Sequence, residues 1–262
     1  MNLDLTGKRA IVCGSTQGLG YASAREIAAL GASVTLIARD EQRLRNAMKG
    51  MDASRGQDHH YLVADFSKPQ TLRDKLAQHS SGTYPADILV NNTGGPKGGP
   101  LTEASEEELL MAFQSHVICN HILMNAVLPF MKAAGYGRIL NIISYSVKEP
   151  IAGLGVSNTI RGAVANWAKT LAGELGPFGI TVNNLLPGFM KTARYESLLD
   201  ARSKTLGKSK DEVESDILAT IPVGRIGNPE ELGSVVAFLC SSAASYVNGI
   251  NLPVDGGKIH SL

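Results

Sequence analysis

Short apolar runs rich in β-branched residues alternate with longer stretches of helical period along the whole 262-residue chain, and this constrains the fold most. Strand–helix–strand repeats of that kind predict a parallel sheet with helices on both faces. Strands are expected at residues 9–13, 33–38, 60–64, 88–91, 137–143, 181–186 and 251–254. Residues 19–30 carry Ala22, Ile27, Ala28 and Leu30 at helical spacing ahead of Gly31, an amphipathic helix with a glycine stop. Residues 109–131 and 157–175 form the two longest helical patterns. Both are apolar over more than one face, which suits burial against the sheet and against a second subunit. Residues 192–220 are polar and poorly periodic, and they read as a long loop serving as a substrate lid. The expected architecture is one doubly wound α/β domain over residues 1–262, with a seven-stranded parallel sheet of Rossmann type.

The charge balance narrows the partners. A net charge of +1 without a basic block excludes nucleic acid and anionic membrane surfaces as expected partners. Cys13, Cys119 and Cys240 are odd in number and widely spaced, so they read as buried thiols in a reducing compartment, with no metal-binding spacing. The first residues lack the apolar core of a signal peptide, and apolar runs are interrupted before the ~20 residues of a membrane span. A soluble cytoplasmic enzyme is the expectation.

Two motifs place a ligand. Gly14-Ser15-Thr16-Gln17-Gly18-Leu19-Gly20 follows the first strand and opens the first helix. Glycines there permit a sharp turn and close approach of a diphosphate to the helix amino terminus, whose N–H groups lack partners. Asn91-Asn92-Thr93-Gly94 ends the fourth strand, on the carboxyl rim where ligands of open parallel sheets bind.

With these motifs, and with Gly137-Arg138-Ile139-Leu140-Asn141-Ile142, Val182-Asn183-Asn184, Pro187-Gly188 and Val254-Asp255-Gly256-Gly257, the chain resembles the short-chain dehydrogenase/reductase family over its whole length. It is similar to 3-oxoacyl-carrier-protein reductases, with Cys13 where that family usually has threonine. The resemblance implies a nicotinamide cofactor, a small carbonyl or alcohol substrate, and a homotetramer formed through the two long helices. It implies cofactor contacts from Gly14 to Gly20, from Asp65-Phe66 to the adenine, from Asn92, Thr93 and Gly94, from Pro187 and Gly188, and from Thr192 to the nicotinamide carboxamide. Asp65 also reads as an ordinary helix cap. An acid selecting NAD(H) would fall at Ala38, and Arg39 follows it, so NADP(H) is preferred and NAD(H) is the alternative. Arg39 also reads as a solvated charge paired with Asp40 or Glu41.

The proton-transfer positions depart from that pattern. Ser144 matches the serine that polarises the substrate oxygen. The tyrosine position thirteen residues later holds Ser157, the lysine position four further holds Arg161, and the helix asparagine aligns with His116. An aliphatic hydroxyl is a far weaker acid than a phenol, and an arginine does not exchange protons. Arg161 is left to hold the nicotinamide ribose. Lys148, four residues after Ser144, and His116 are the candidate proton carriers. Tyr145 is a third, provided that the chain turns after Ser144. Two rivals to a carbonyl reductase stay open: a dinucleotide-binding sensor without turnover, and a lyase or isomerase on the same scaffold.

Overall fold

The computed structural model describes residues 1–78 and 84–261. Strands and helices alternate as β1 (Arg9–Cys13), α1 (Gly18–Ala29), β2 (Ser33–Ala38), α2 (Glu41–Met48), β3 (His60–Val63), α3 (Pro69–Ala77) and β4 (Ile88–Asn92). The second half continues with α4 (Glu106–Phe113), α5 (Cys119–Ala134), β5 (Gly137–Ile142), α6 (Gly155–Leu175), β6 (Ile180–Pro187), α7 (Ala193–Leu206), α8 (Lys210–Leu218), α9 (Pro229–Cys240) and β7 (Asn251–Val254). The described strands form one parallel seven-stranded sheet in the order β3-β2-β1-β4-β5-β6-β7. Every strand expected from sequence is present, with its ends shifted by at most one residue.

Side-chain alternation sorts the strands into two cores. Ala10, Val12, Val34, Leu36, Val90 and Leu140 pack toward α1 and α9. Ile11, Cys13, Ile37, Leu89, Ile139 and Val182 pack toward α3, α5 and α6. Central strands are thus buried on both faces, which is why they read as continuous apolar runs.

Two helical expectations change. The single helix expected at 109–131 is α4 and α5 joined by a π-helical turn through Gln114–Ile118, with a capping box between Ser105 and Glu108 at its start. The continuous run Glu106–Ala134 is long and apolar enough to cross a membrane by length and composition, yet α5 packs on β4 and β5. The polar stretch at 192–220 is not a loop. It folds as the hairpin α7–α8, whose inner faces bury Tyr195, Leu199, Val213 and Ile217 as a small separate core that Ile221, just beyond α8, completes. Its apolar positions are too few per turn to show as periodicity, because a hairpin on the rim buries only one narrow stripe.

The strand order reverses between β1 and β4, and the crevice at such a switch point opens at the carboxyl ends of those two strands. Gly14 and Asn92 sit there together: Asn92 Nδ2 donates to the carbonyls of Cys13 and Gly14, both at 3.3 Å.

Candidate active site

A cleft of about 830 Å³ runs from this switch point across the sheet rim. Its wall holds Gly14, Thr16, Gln17, Arg39, Asp65, Phe66, Asn92, Thr93, Gly94 and His116, so most of the cofactor-binding set expected from sequence converges. Gly14 has φ +58°, and a Cβ there would meet Asn92 O at 2.6 Å. A Cβ on Gly20 would collide with the Gly14 carbonyl and lie 2.6 Å from Asn92 Nδ2. Both glycines hold the backbone open at the α1 amino terminus, where Gln17 caps without a side-chain bond and leaves N–H donors for an anion. Ser15 is the exception in this loop: it is fully buried behind the turn, its Oγ donating to Ile37 O at 3.4 Å.

At the outer end, the carboxylates near Arg39 are already engaged. Asp40 caps α2 by accepting from Arg43 N at 3.0 Å, and Glu41 pairs with Arg45 at 2.7 Å. Arg39 therefore faces the cleft without either as an ion-pair partner, and Arg43 joins it on the wall. Sequence reading missed Arg43, although its spacing of four from Arg39 was a usable signal. Asp65 accepts from Ser67 N and Ser67 Oγ, both at 2.9 Å, and these bonds hold its carboxyl below the usual range. It braces the loop; Lys68, not Asp65, is the cap residue of α3.

The inner end carries the departures. Ser144 follows β5, and its Oγ accepts from Ser146 N at 3.0 Å, which leaves its own hydrogen available to a ligand. The chain turns there into a 3₁₀ segment, Tyr145–Val147. That turn sends the Tyr145 ring to Phe189, 6.4 Å away between centroids, in a smaller cleft beside Arg202 and Lys258. Burial pushes its phenol up, away from neutrality. Ser157 and Arg161 lie one turn apart on α6. The Arg161 guanidinium is buried and donates to Ile142 O and Thr93 O, both at 3.1 Å. Ser144, Ser157 and Lys148 are not in the described wall of the large cleft. Pro187 ends β6, Gly188 N donates to Val254 O at 3.0 Å, and Thr192 caps α7 with its methyl against Gly18.

His116 corrects the expectation of a neutral-range titration. The π turn aims it inward, where it is 3% exposed and hydrogen-bonded to the Gly94 carbonyl. Burial, reinforced by the Arg161 charge, pulls its pKa down to about 3. An unfolded imidazole protonates near pH 6.5, so between that value and about 3 the unfolded chain binds more protons. Stability should therefore fall as pH drops through this window, by up to about 1.4 kcal/mol per pH unit from this residue. Urea midpoints of wild type and His116→Gln across pH 4–7 check this (a range set by the unfolded value of about 6.5). The substituted protein should show the flatter profile, and parallel profiles would refute the assignment.

A family model described as Enoyl-(Acyl carrier protein) reductase matches residues 14–258. The chain is 33% identical over 258 residues to gluconate 5-dehydrogenase of Gluconobacter oxydans, covering 98% of this chain and 97% of that protein. It is 32% identical to 3-oxoacyl-acyl-carrier-protein reductase of Haemophilus influenzae, covering 97% and 98%. Among solved structures, L-sorbose reductase from Gluconobacter frateurii, complexed with NADPH and L-sorbose, superposes with a TM-score of 0.92 at 29% identity over 100% of both chains.

Proposed function

From the premise that this chain belongs to the short-chain dehydrogenase/reductase family, we propose that it is an NADP(H)-dependent oxidoreductase interconverting a carbonyl and a secondary alcohol. The observation that carries the reading is the cleft itself. A glycine turn that admits no Cβ, a free helix amino terminus and two arginines at the ribose end fit a phosphorylated dinucleotide. The relatives support the same cofactor and chemistry, since the sorbose reductase structure holds NADPH and another is an NADPH-dependent reductase of Bacillus subtilis.

The bound cofactor supplies or accepts the hydride. For the rest, Ser144 donates its free hydroxyl hydrogen to the substrate oxygen. Arg161 uses two of its N–H groups on the Ile142 and Thr93 carbonyls and turns the others to the nicotinamide ribose. Ser157 relays the proton with Lys148. His116, neutral at working pH, positions the Gly94 turn and takes no proton. The hairpin α7–α8 acts as the substrate lid. Four copies associate through α4–α6, where Leu110, Met111 and Phe113 stay exposed in one copy; a monomer in sedimentation would contradict this. The three cysteines are buried free thiols, which suits a cytoplasmic setting.

Steady-state NADPH oxidation against a panel of small ketones and aldehydes tests the assignment. Tight NADPH binding with no turnover on any of them would instead make the protein a sensor, a reading favoured by Ser157 and Arg161. Product formed without net cofactor oxidation would point to a lyase or isomerase. The cofactor choice has its own test. Arg39→Ala should weaken NADPH by roughly 10–100-fold, as expected for losing charged hydrogen bonds to a phosphate, and leave NADH unchanged. Equal loss for both nucleotides would remove Arg39 from the 2′-phosphate.

A further inference from the structure

Two guanidinium groups flank Gly95, a residue of the cleft wall, and among the described residues no carboxylate pairs with either. Arg161 is 8% exposed and, among the described residues, is held by two neutral carbonyls. Arg194, in the first turn of α7, reaches the same place from the hairpin. The Nη2 atoms of both lie 4.0 Å from the point a Cβ on Gly95 would occupy, and Gly95 lines the cleft. Among the described residues neither has a carboxylate within 4.0 Å. Three of the six acids of the hairpin are committed elsewhere: Asp200 to Lys210 at 2.5 Å, Asp216 to Lys208 at 2.6 Å, and Glu214 to the Tyr195 hydroxyl at 3.0 Å.

A buried cation beside a like charge is costly, and Arg161 feels this: burial, with Arg194 adding to it, brings its pKa down to about 10. It stays charged at neutral pH, so the missing partner is an anion. We propose that the space above Gly95 is a carboxylate subsite, and that the substrate is a short oxo or hydroxy acid whose carboxylate bridges Arg161 and Arg194. This rests on the oxidoreductase reading for the identity of the reacting group. The placement suits it, because Arg161 is anchored to Ile142, two residues before Ser144, so a bound carboxylate keeps the reacting oxygen a few bonds away. Planar guanidinium groups match carboxylates through paired charged hydrogen bonds.

The same chemistry could be supplied by the cofactor diphosphate, since the start of α7 abuts the glycine turn: the Thr192 methyl is 3.5 Å from a Cβ built on Gly18. Two variants and one set of probes separate the sources. Arg194→Met removes one cation from an exposed position. Gly95→Ala places a methyl in the subsite at ordinary contact distance from both guanidiniums, so the fold accepts it. Calorimetry on the NADP⁺-saturated protein would use lactate, malate and 3-hydroxybutyrate against their methyl esters. At least one acid should bind roughly tenfold or more tighter than its ester, and each variant should erase most of that margin. NADP⁺ affinity of Arg194→Met should stay within about threefold of wild type, given that the diphosphate seats on the helix amino terminus. Acids binding no better than esters, or NADP⁺ weakening as much as the acid, would overturn the proposal. An acid that binds this way without any NADP⁺ reduction would uphold the subsite and defeat the oxidoreductase reading alone.

Discussion

Gly14→Val should weaken NADPH binding by at least roughly 100-fold, about 2.7 kcal/mol or more. The position has φ +58°, a region that costs an ordinary L-residue roughly 1–2 kcal/mol and a β-branched one more. A side chain there also overlaps Asn92 O at 2.6 Å and Asn92 Nδ2 at 2.7 Å. The turn can relieve the overlap only by moving off Asn92, and the hydrogen bonds from Asn92 Nδ2 to the Cys13 and Gly14 carbonyls go with it. Those bonds tie β1 to β4 at the switch point, so the donors that would meet the diphosphate lose their alignment. Gly56→Val is the matched control, with φ +78° and nothing within 4 Å of its Cβ. It should pay the conformational cost and keep NADPH affinity. Fluorescence titration of NADPH against both proteins decides the matter: a Gly14→Val protein binding within threefold of wild type would mean that the diphosphate does not sit on this turn.

Asn141→Ala should cost about 3–5 kcal/mol of stability and lower the melting temperature by about 10 °C. Four asparagines lie in register across the carboxyl half of the sheet: Asn91 opposite Asn141, Asn141 opposite Asn184, Asn184 opposite Asn251. Each amide donates to the next, from Asn91 to Asn141 at 2.9 Å, on to Asn184 at 2.9 Å, and on to Asn251 at 2.8 Å. Asn141 is fully buried, and Asn91 Oδ1 has no partner among the described residues. Truncating Asn141 strands the Asn91 donor and one acceptor on Asn184, each costing about 1–3 kcal/mol where water cannot substitute. Asn251, the last rung, is exposed, so Asn251→Ala should cost under about 1 kcal/mol because water replaces the lost amide. Thermal melts of the two variants compare buried and exposed rungs of one ladder. Equal shifts would show that the amide chain contributes nothing beyond ordinary packing.

The strand positions and the glycine turn were legible because both are written in neighbouring residues. Short continuous apolar runs, a glycine pattern at a strand end and the Asn-Asn-Thr-Gly rim motif need no knowledge of distant contacts, and each expected strand is present. The hairpin α7–α8 was misread for the converse reason: its apolar stripe makes sense only once the two helices face each other. His116 shows the same limit. Its side chain type suggests proton work, while its titration is set by the π turn that buries it and by Arg161, which lies 45 positions away in sequence.

By itself, then, the order of residues determined a doubly wound parallel sheet, a glycine turn between the first strand and helix, and Ser157 and Arg161 at the positions where the family resemblance implies a tyrosine and a lysine. Only tertiary structure decided that Arg161 is buried against the Thr93 and Ile142 carbonyls, that Arg194 arrives beside it, and that Asp40 and Glu41 leave Arg39 to the cleft. The physical reason is that backbone preference and hydrophobic period act over a few residues, whereas desolvation and charge act through space between groups that the fold brings together.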